Sequence, residues 1–549
     1  MDLLAHFPAG LRPRPEQARL LAELGRAFAG AEADLEAPRV FFVEAPPGVG
    51  KSHVAVTLAA WSGSAYLLTS QKLLQDQYER EFGGQIQLVK GRDNYWCERY
   101  PGARVTTSHG MCRRPRGPSC QCPYARAKAA ALAGPIFCAN TTYFLTLRLW
   151  QREQLERRRL LIIDEAHTLE AQLVSVLTVA FSPAEMRAWF GGPLPRLDSA
   201  DDYRGLMGEH LARLEDQRGL IDRTLEDLQP PGVGLAELLA LPPSREEQTL
   251  ISELDRLDSA LARVRFFVDA GEGEWVVRYP DVSDATLELV PLSVAPMARD
   301  LLLETADLTV LSSAFLGRRS VLAEYFGLAE ERVRQLASPS PFPLERRVIV
   351  YRPVGALSRA TLPDLEPALF TEVAAILARH RDEKGLIHAA SYAAARRLAA
   401  DLAARAPAES RRVIFVDASV AKARALEQHR ASPLATVLLS PSLREGVDLP
   451  DDFLRFQILT KMPYPDLGDP WTAARQARDP RWYALETAKA LVQAYGRSCR
   501  HADDRGTTYI LDAQFKRFVT RYRPLLPPWF LDAAEEALRA HAARAPSAG

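Results

Sequence analysis

Short runs of β-branched and aromatic residues alternate with longer Ala/Leu/Arg-rich stretches along most of this chain. Apparent strands fall at 40–43, 65–69, 160–163, 308–311, 385–388, 413–416, 436–439, 456–459 and 507–511. Strands separated by helical stretches cannot close as hairpins. They must return in the same direction, which argues for parallel sheets covered on both faces. The expected fold class is therefore α/β. With 549 residues, the chain is long enough for about three to five domains at ~100–200 residues each. At 47% apolar and 25% charged residues it has a globular composition, which excludes a largely disordered chain. No run of eighteen apolar residues suggests a membrane span, and the N-terminus has no basic-then-apolar secretory pattern.

Two stretches break the alternation. The first runs from about residue 93 to 138 and reads as loop and short helix. It contains Cys97, Cys112, Cys120 and Cys122, four of the six cysteines in the chain, within 26 residues. Without an export signal, such clustering argues for a metal or cluster site over disulfides. Cys138 and Cys499 stand apart and read as small buried hydrophobes. The second stretch, from about 168 to 300, reads as long helices with Pro-rich joints. Lys plus Arg number 69 and Asp plus Glu also number 69, so the total charge discriminates nothing, but its distribution does. Between Cys97 and Lys128 there are seven Arg/Lys against the single acid Glu98. Residues 168–300 hold 24 Asp/Glu, 12 Arg and no Lys. The basic piece is suited to facing phosphate, and the acidic one should mostly avoid it.

Three motifs carry chemistry. Glu44-Ala45-Pro46-Pro47-Gly48-Val49-Gly50-Lys51-Ser52 follows an apolar strand and opens a helical segment, the setting of a phosphate loop. Its glycines let backbone N–H groups close on phosphate oxygens, while Lys51 reaches the β- and γ-phosphates and Ser52 is placed for Mg²⁺. Ala45 stands where the strict pattern has glycine. Next, the apolar run 160–163 leads straight into Asp164-Glu165-Ala166-His167. A strand ending in paired acids puts one carboxylate, Asp164, on the metal and the second, Glu165, beside the attacking water as general base. Finally, Gln493-Ala494-Tyr495-Gly496-Arg497-Ser498-Cys499-Arg500 would place Gln493, Arg497 and Arg500 on one helix face at i, i+4 and i+7. That face suits a γ-phosphate, with Arg497 or Arg500 as the arginine finger.

In this order, these residues resemble superfamily 2 helicases of the DinG and XPD group, over nearly the whole chain. Arg14 and Gln17 resemble the group's adenine-recognising glutamine motif. Thr69-Ser70-Gln71-Lys72-Leu73-Leu74 resembles motif Ia, which touches the DNA backbone. Leu311-Ser312-Ser313-Ala314-Phe315-Leu316 is similar to motif III, with Phe315 in place of the usual Thr. Gly385 to His388 with Ser391 and Tyr392 resembles motif IV, Arg444-Glu445-Gly446-Val447-Asp448-Leu449-Pro450 motif V, and Gln493 to Arg500 motif VI. Ser340-Pro341-Phe342 resembles a signature that opens the second motor domain, and Lys90-Gly91-Arg92-Asp93-Asn94-Tyr95-Trp96-Cys97 the approach to an iron–sulfur domain.

The resemblance implies two RecA-like parallel-sheet motor domains, with an iron–sulfur insertion and a helical arch insertion in the first. The first motor domain would take 1–92, 139–168 and 301–337, the cluster insertion 93–138, the arch 169–300, and the second motor domain 338–549. Nucleotide contacts would come from Arg14, Gln17, Pro47, Gly48, Val49, Gly50, Lys51, Ser52 and Asp448. Magnesium would be held by Ser52 and Asp164. Four thiolates at Cys97, Cys112, Cys120 and Cys122 can hold either a 4Fe–4S cluster or Zn²⁺. The x14, x7 and x1 spacings lack the Cys-x₂₋₄-Cys knuckles of zinc modules, and the resemblance points to the cluster.

The implied activity is that of an ATP-dependent DNA helicase moving 5′ to 3′ on single-stranded DNA and opening forked duplex or DNA/RNA hybrid, as in DNA repair. The chain would act as a monomer in the cytoplasm of a bacterial or phage-infected cell, with no membrane partner. The alternative is an ATP-gated translocase or scaffold subunit, including a CRISPR-associated DinG-like role, that remodels a larger complex without unwinding on its own. A metabolic P-loop kinase would have no use for the Gln493/Arg497/Arg500 set.

Overall fold

Five consecutive buried residues, Val40–Glu44, form the first strand, β1. The computed structural model describes the chain apart from residues 101, 103, 111–119, 229–241, 271–273, 280–285, 418–421, 444–448, 450, 498–503 and 545–549. After β1 come β2 (Ala65–Thr69), β3 (Gln87–Val89), β4 (Ile136–Asn140) and β5 (Arg158–Asp164). Strands β6 (Val179–Phe181), β7 (Trp275–Arg278) and β8 (Leu287–Pro291) form a separate antiparallel sheet in the order β6-β8-β7. Strands β9 (Ala306–Ser313) and β10 (Val333–Ala337) return to the first sheet, which is all parallel in the order β10-β1-β9-β5-β2-β4-β3.

Alternate side chains of this sheet enter two separate cores. Val40, Phe42, Leu68, Leu161, Ile163 and Leu311 pack on one face, and Phe41, Val43, Leu67, Ile162 and Val310 on the other. Burial on both faces is why these strands read as unbroken apolar runs rather than as alternating ones. The second parallel sheet uses β11 (Arg347–Gly355), β12 (Gly385–His388), β13 (Val413–Phe415), β14 (Val437–Ser440), β15 (Phe456–Leu459) and β16 (Gly506–Asp512). Its order is β11-β16-β15-β12-β14-β13. All nine strands expected from the sequence lie in these two sheets.

Both breaks in the alternation leave the first sheet and return to it. The cysteine-bearing stretch leaves after β3 and returns through the helix Pro123–Ala133 into β4, so the stretch drawn as 93–138 includes the start of a strand. The acidic stretch leaves after β5 and contains the long helices Ala200–Asp227 and Arg245–Asp269. The reading of this stretch as helices alone is corrected by β6, β7 and β8. Their apolar residues Phe181, Leu287 and Leu289 share a core with Trp189, Tyr203, Leu257 and Phe267 from the helices. The two stretches meet where His109 Nε2 lies 2.7 Å from Ser252 Oγ.

Candidate nucleotide-binding and motor site

In parallel sheets, ligands sit beyond the carboxyl ends of the strands. In the first sheet, register aligns Glu44 of β1 with Ser313 of β9, and Ser312 of β9 with Asp164 of β5. The phosphate loop leaves β1 at this edge. Gly48 and Gly50 adopt φ of 83° and 84°, a left-handed backbone that glycine enters without a steric penalty. Gly50 then caps the helix Lys51–Ser62. A Cβ on Gly50 would stand 2.4 Å from Gln17 Nε2, so the loop and the glutamine segment are fitted to each other. Gln17 is buried and donates from Nε2 to Gly50 O at 3.2 Å, and its Oε1 accepts the Arg14 N–H at 2.8 Å. Arg14 Nη1 donates to Gly48 O. Both residues expected to recognise adenine therefore grip the phosphate loop itself.

Lys51 Nζ donates to Ala45 O at 3.3 Å and lies 3.7 Å from Glu165 Oε1. Val49 is fully buried under the loop. Pro47 faces the second sheet domain, where a Cβ on Gly496 would come within 2.8 Å of its Cγ. Asp164 accepts from Tyr78 Oη at 3.0 Å on one oxygen and from the Glu165 N–H at 3.0 Å on the other. Burial, then the adjacent Glu165 charge, pushes its carboxyl up to about 6. Tyr78 also hydrogen-bonds Ser52, so one buried hydroxyl connects the two residues expected to hold magnesium. Burial drives the Tyr78 phenol well above its ordinary range. Glu165 sits at φ 53°, a left-handed backbone that disfavours any side chain and concentrates at functional sites. Ser52 and Asp164, drawn together by Tyr78, fit the small all-oxygen ligand set that Mg²⁺ uses beside phosphates.

His167 joins the two sheet domains. Its Nδ1 lies 2.9 Å from Ser313 Oγ, 3.3 Å from Glu165 Oε2 and 3.3 Å from Gln493 Nε2 of the second domain. The expected helix face of Gln493, Arg497 and Arg500 is corrected: the helix Pro480–Tyr495 ends before Arg497. Gly496, against Pro47, closes it through its N–H to Val492 O, and Arg497 follows in a buried turn. Arg500, Cys499 and Asp448 lie outside the described residues, as do Arg444 to Val447 of the motif V segment.

The sequence reading gave no role to Tyr78, Ser313 or Glu44. Glu44 Oε1 accepts the N–H groups of Leu316 and Gly317 at 2.7 and 2.9 Å, and burial raises its carboxyl. It fixes the segment where Phe315 leaves β9 and packs with Leu485 and Val492 of the second domain. Motif Ia is braced similarly, with Asn140 Nδ2 donating to Ser70 O and Thr141 Oγ1 to Thr69 O, both at 3.0 Å.

Among the candidate cluster ligands, Cys97 and Cys122 are buried and Cys120 is half-buried, while Cys112 lies outside the described residues. Glu98 pairs with Arg126 at 2.6 Å, and Arg126 also donates to Gln121 O, which clips the Cys97–Glu98 segment to the Cys120–Cys122 segment. Arg126 is within electrostatic reach of both Cys120 and Cys122. Thiols held in one clipped segment fit the donor chemistry of a cluster, although among the described residues no three His, Cys, Asp or Glu side chains form a metal group. Cys138 is fully buried in β4 and its thiol is pushed up by burial, as expected of a small hydrophobe. Among the described residues, no helix is long and apolar enough to cross a membrane.

Residues 375–532 match a helicase C-terminal domain. The chain is 23% identical to the ATP-dependent DNA helicase YoaA of Escherichia coli K12, over 96% of this chain and 95% of that protein. It is 24% identical to the ATP-dependent helicase DinG of Mycobacterium tuberculosis, over 80% of this chain and 70% of that one. The solved structure of Xpd4 from S. tokodaii superposes with a TM-score of 0.55 at 15% identity, covering 94% of this chain and 98% of the other. With a phosphate loop and acid box at one sheet edge and a helicase C-terminal domain facing them, the chain is similar over most of its length to the ATP-dependent helicases YoaA and DinG and shares its fold with Xpd4.

Proposed function

We propose that this chain hydrolyses ATP between its two sheet domains to move 5′ to 3′ along single-stranded DNA, separating forked duplex or DNA/RNA hybrid. The observation that carries the proposal is His167, which sits in the acid box and meets Ser313 of the first domain and Gln493 of the second. A change at the phosphate end is thereby passed to the partner domain. Lys51 binds the β- and γ-phosphates, and Arg14 and Gln17 set the loop that cradles them. Ser52 and Asp164 would hold Mg²⁺, which when bound neutralises charge on the phosphates. Glu165, beside Lys51, takes the proton of the attacking water. Arg497, with Arg500, stabilises charge developing on the transferred phosphate.

Motifs Ia, IV and V would release and re-grip the sugar–phosphate backbone as the domains change spacing. Such contacts position a strand without reading its bases. Asp448 of motif V is assigned to the nucleotide side. The basic insertion at 93–138 would hold a 4Fe–4S cluster on Cys97, Cys112, Cys120 and Cys122, and residues 169–300 would arch over the strand. The first motor domain would comprise 1–92, 139–168 and 301–337, and the second 338–549. The chain is proposed to act as a monomer.

The test compares wild type with Glu165→Gln. Wild type should hydrolyse ATP faster when single-stranded DNA is present and should open a tailed duplex. Glu165→Gln should bind a fluorescent ATP analogue normally and lose turnover by on the order of 10²–10⁴-fold. Wild-type hydrolysis by Glu165→Gln would remove the base assignment. Hydrolysis without strand separation would favour an ATP-gated translocase or scaffold.

A further inference from the structure

The helix Pro480–Tyr495 touches the acid-box segment at two places. Near its end Gln493 meets His167 at 3.3 Å. Near its start Trp482 Nε1 donates to Glu170 Oε2 at 3.2 Å. The two contact residues are eleven positions apart, about 16 Å along a helix rising ~1.5 Å per residue. Glu170 lies just past the acid box, in the helix Leu169–Leu177. Its carboxylate pairs with Arg475, from the neighbouring helix Pro470–Arg478 of the second domain. Both side chains are buried, at 8% and 6% exposure. The guanidinium lies 5.2 Å from the Tyr325 ring centroid and 5.3 Å from that of Trp482. Tyr325, from the helix Arg319–Tyr325 between β9 and β10, donates to Asp479 Oδ2 at 3.1 Å. Asp479 in turn caps the start of the helix Pro480–Tyr495.

A buried ion pair is a poor choice for stability alone, since apolar side chains of similar volume hold as well or better. It fixes geometry, because each charge tolerates burial only with its partner in place. Here it is seated between two aromatic faces, at the far end of a rigid helix from the residues that face the nucleotide. A rod held at one end moves only at the other.

We propose that Glu170 and Arg475 are positioning residues that form a fixed pivot, about which the second domain swings to bring Gln493 and Arg497 onto nucleotide bound at Lys51. The swing rests on the motor reading above, whereas the pivot as a geometric restraint does not. Loss of either charge leaves the phosphate loop intact but frees the helix at its anchored end.

The test uses the full chain with thiol-independent spin labels at Leu35 and Leu434, which are 76% and 60% exposed and lie in different sheet domains. Wild type should give one narrow inter-label distance without nucleotide. Glu170→Ala and Arg475→Ala should broaden it, bind a fluorescent ATP analogue with unchanged affinity, and lose about tenfold in the ratio of DNA-stimulated to basal hydrolysis. The paired variant Glu170→Leu/Arg475→Leu, in which no charge is stranded, should melt like wild type yet keep the broad distance and the low ratio. If the Leu pair restores the narrow distance, the contact is ordinary packing and the pivot is overturned; a wild-type distance in either single variant overturns it as well. If the single variants do not fold, the Leu pair alone decides. Absence of DNA-stimulated hydrolysis in wild type would count against the motor reading, while the label distances would still judge the pivot.

Discussion

Gly50 shows how closely single positions in the nucleotide site are fitted. It has φ of 84°, and an added Cβ would fall 2.4 Å from Gln17 Nε2. Gly50→Ala therefore meets two separate penalties. The left-handed backbone costs about 1–2 kcal/mol for a residue with a Cβ. The methyl must also displace Gln17, whose two hydrogen bonds connect the start of its helix to the loop. The expected outcome is a fall of about tenfold or more in affinity for a fluorescent ATP analogue, since one lost interaction of about 1.4 kcal/mol already amounts to tenfold. Thermal melting should drop by only a few degrees, because the change is local. Unchanged nucleotide affinity would mean that the Gln17 contact plays no part in shaping the loop. At the same scale, Glu165 keeps a disfavoured left-handed backbone while its side chain reaches towards Lys51 and His167. Strain of this kind persists where the surrounding structure fixes it.

Elements divide by how they meet solvent, and so does what the sequence discloses about them. Strands buried on both faces, such as β1 and β5, are unbroken apolar runs and are legible directly. Edge strands β3 and β10 are interrupted by polar residues, Gln87 in one and Arg334 and Gln335 in the other, and lack that signature. Strand β4 is interior yet escaped notice because Cys138 was counted with the irregular stretch before it. The phosphate loop and acid box were legible because their chemistry demands particular residue types in order. Tyr78 was not, since on an amphipathic helix a tyrosine is indistinguishable from a core aromatic until its hydroxyl is seen on Asp164. The end of the helix at Tyr495, which Gly496 caps, was hidden because a lone glycine within a helical pattern is no certain stop. The cysteines allow a test at this scale. Cys122→Ser should release iron and abolish strand separation while ATP binding survives, because the ATP site lies on other elements. Cys138→Ser should leave iron in place and cost about 1–3 kcal/mol through a buried hydroxyl. Iron and sulfide analysis with thermal melting distinguishes the two, and equal iron in both variants would remove Cys122 from the ligand set.

Across the whole molecule, one chain of contacts runs outward from the acid box. The acid box at the end of β5 touches β9 through Ser313, the second domain through Gln493, and the pivot through Glu170. The cysteine stretch is attached to the same strand from its other end. Arg158 opens β5 and donates to the backbone oxygens of Ala131, Leu132, Gly134 and Pro135, at the end of the helix that Cys122 begins. β5 thus carries the acid box at one end and holds the basic insertion at the other. If the insertion meets the duplex while the two sheet domains grip the single strand by its phosphates, the strand must thread with one fixed polarity, because the sugar–phosphate backbone is directional and the insertions all rise from the first sheet. Phosphate-based grip also makes the action independent of sequence and sensitive to salt. A partial duplex with a 5′ single-stranded tail should be opened in the presence of ATP, equally for unrelated sequences, and more slowly as salt rises. One with only a 3′ tail should not be opened. The measurement is release of a labelled strand from matched 5′- and 3′-tailed substrates by the iron-loaded protein. Preferential opening of the 3′-tailed duplex would reverse the threading and take the insertion away from the leading side of the motor.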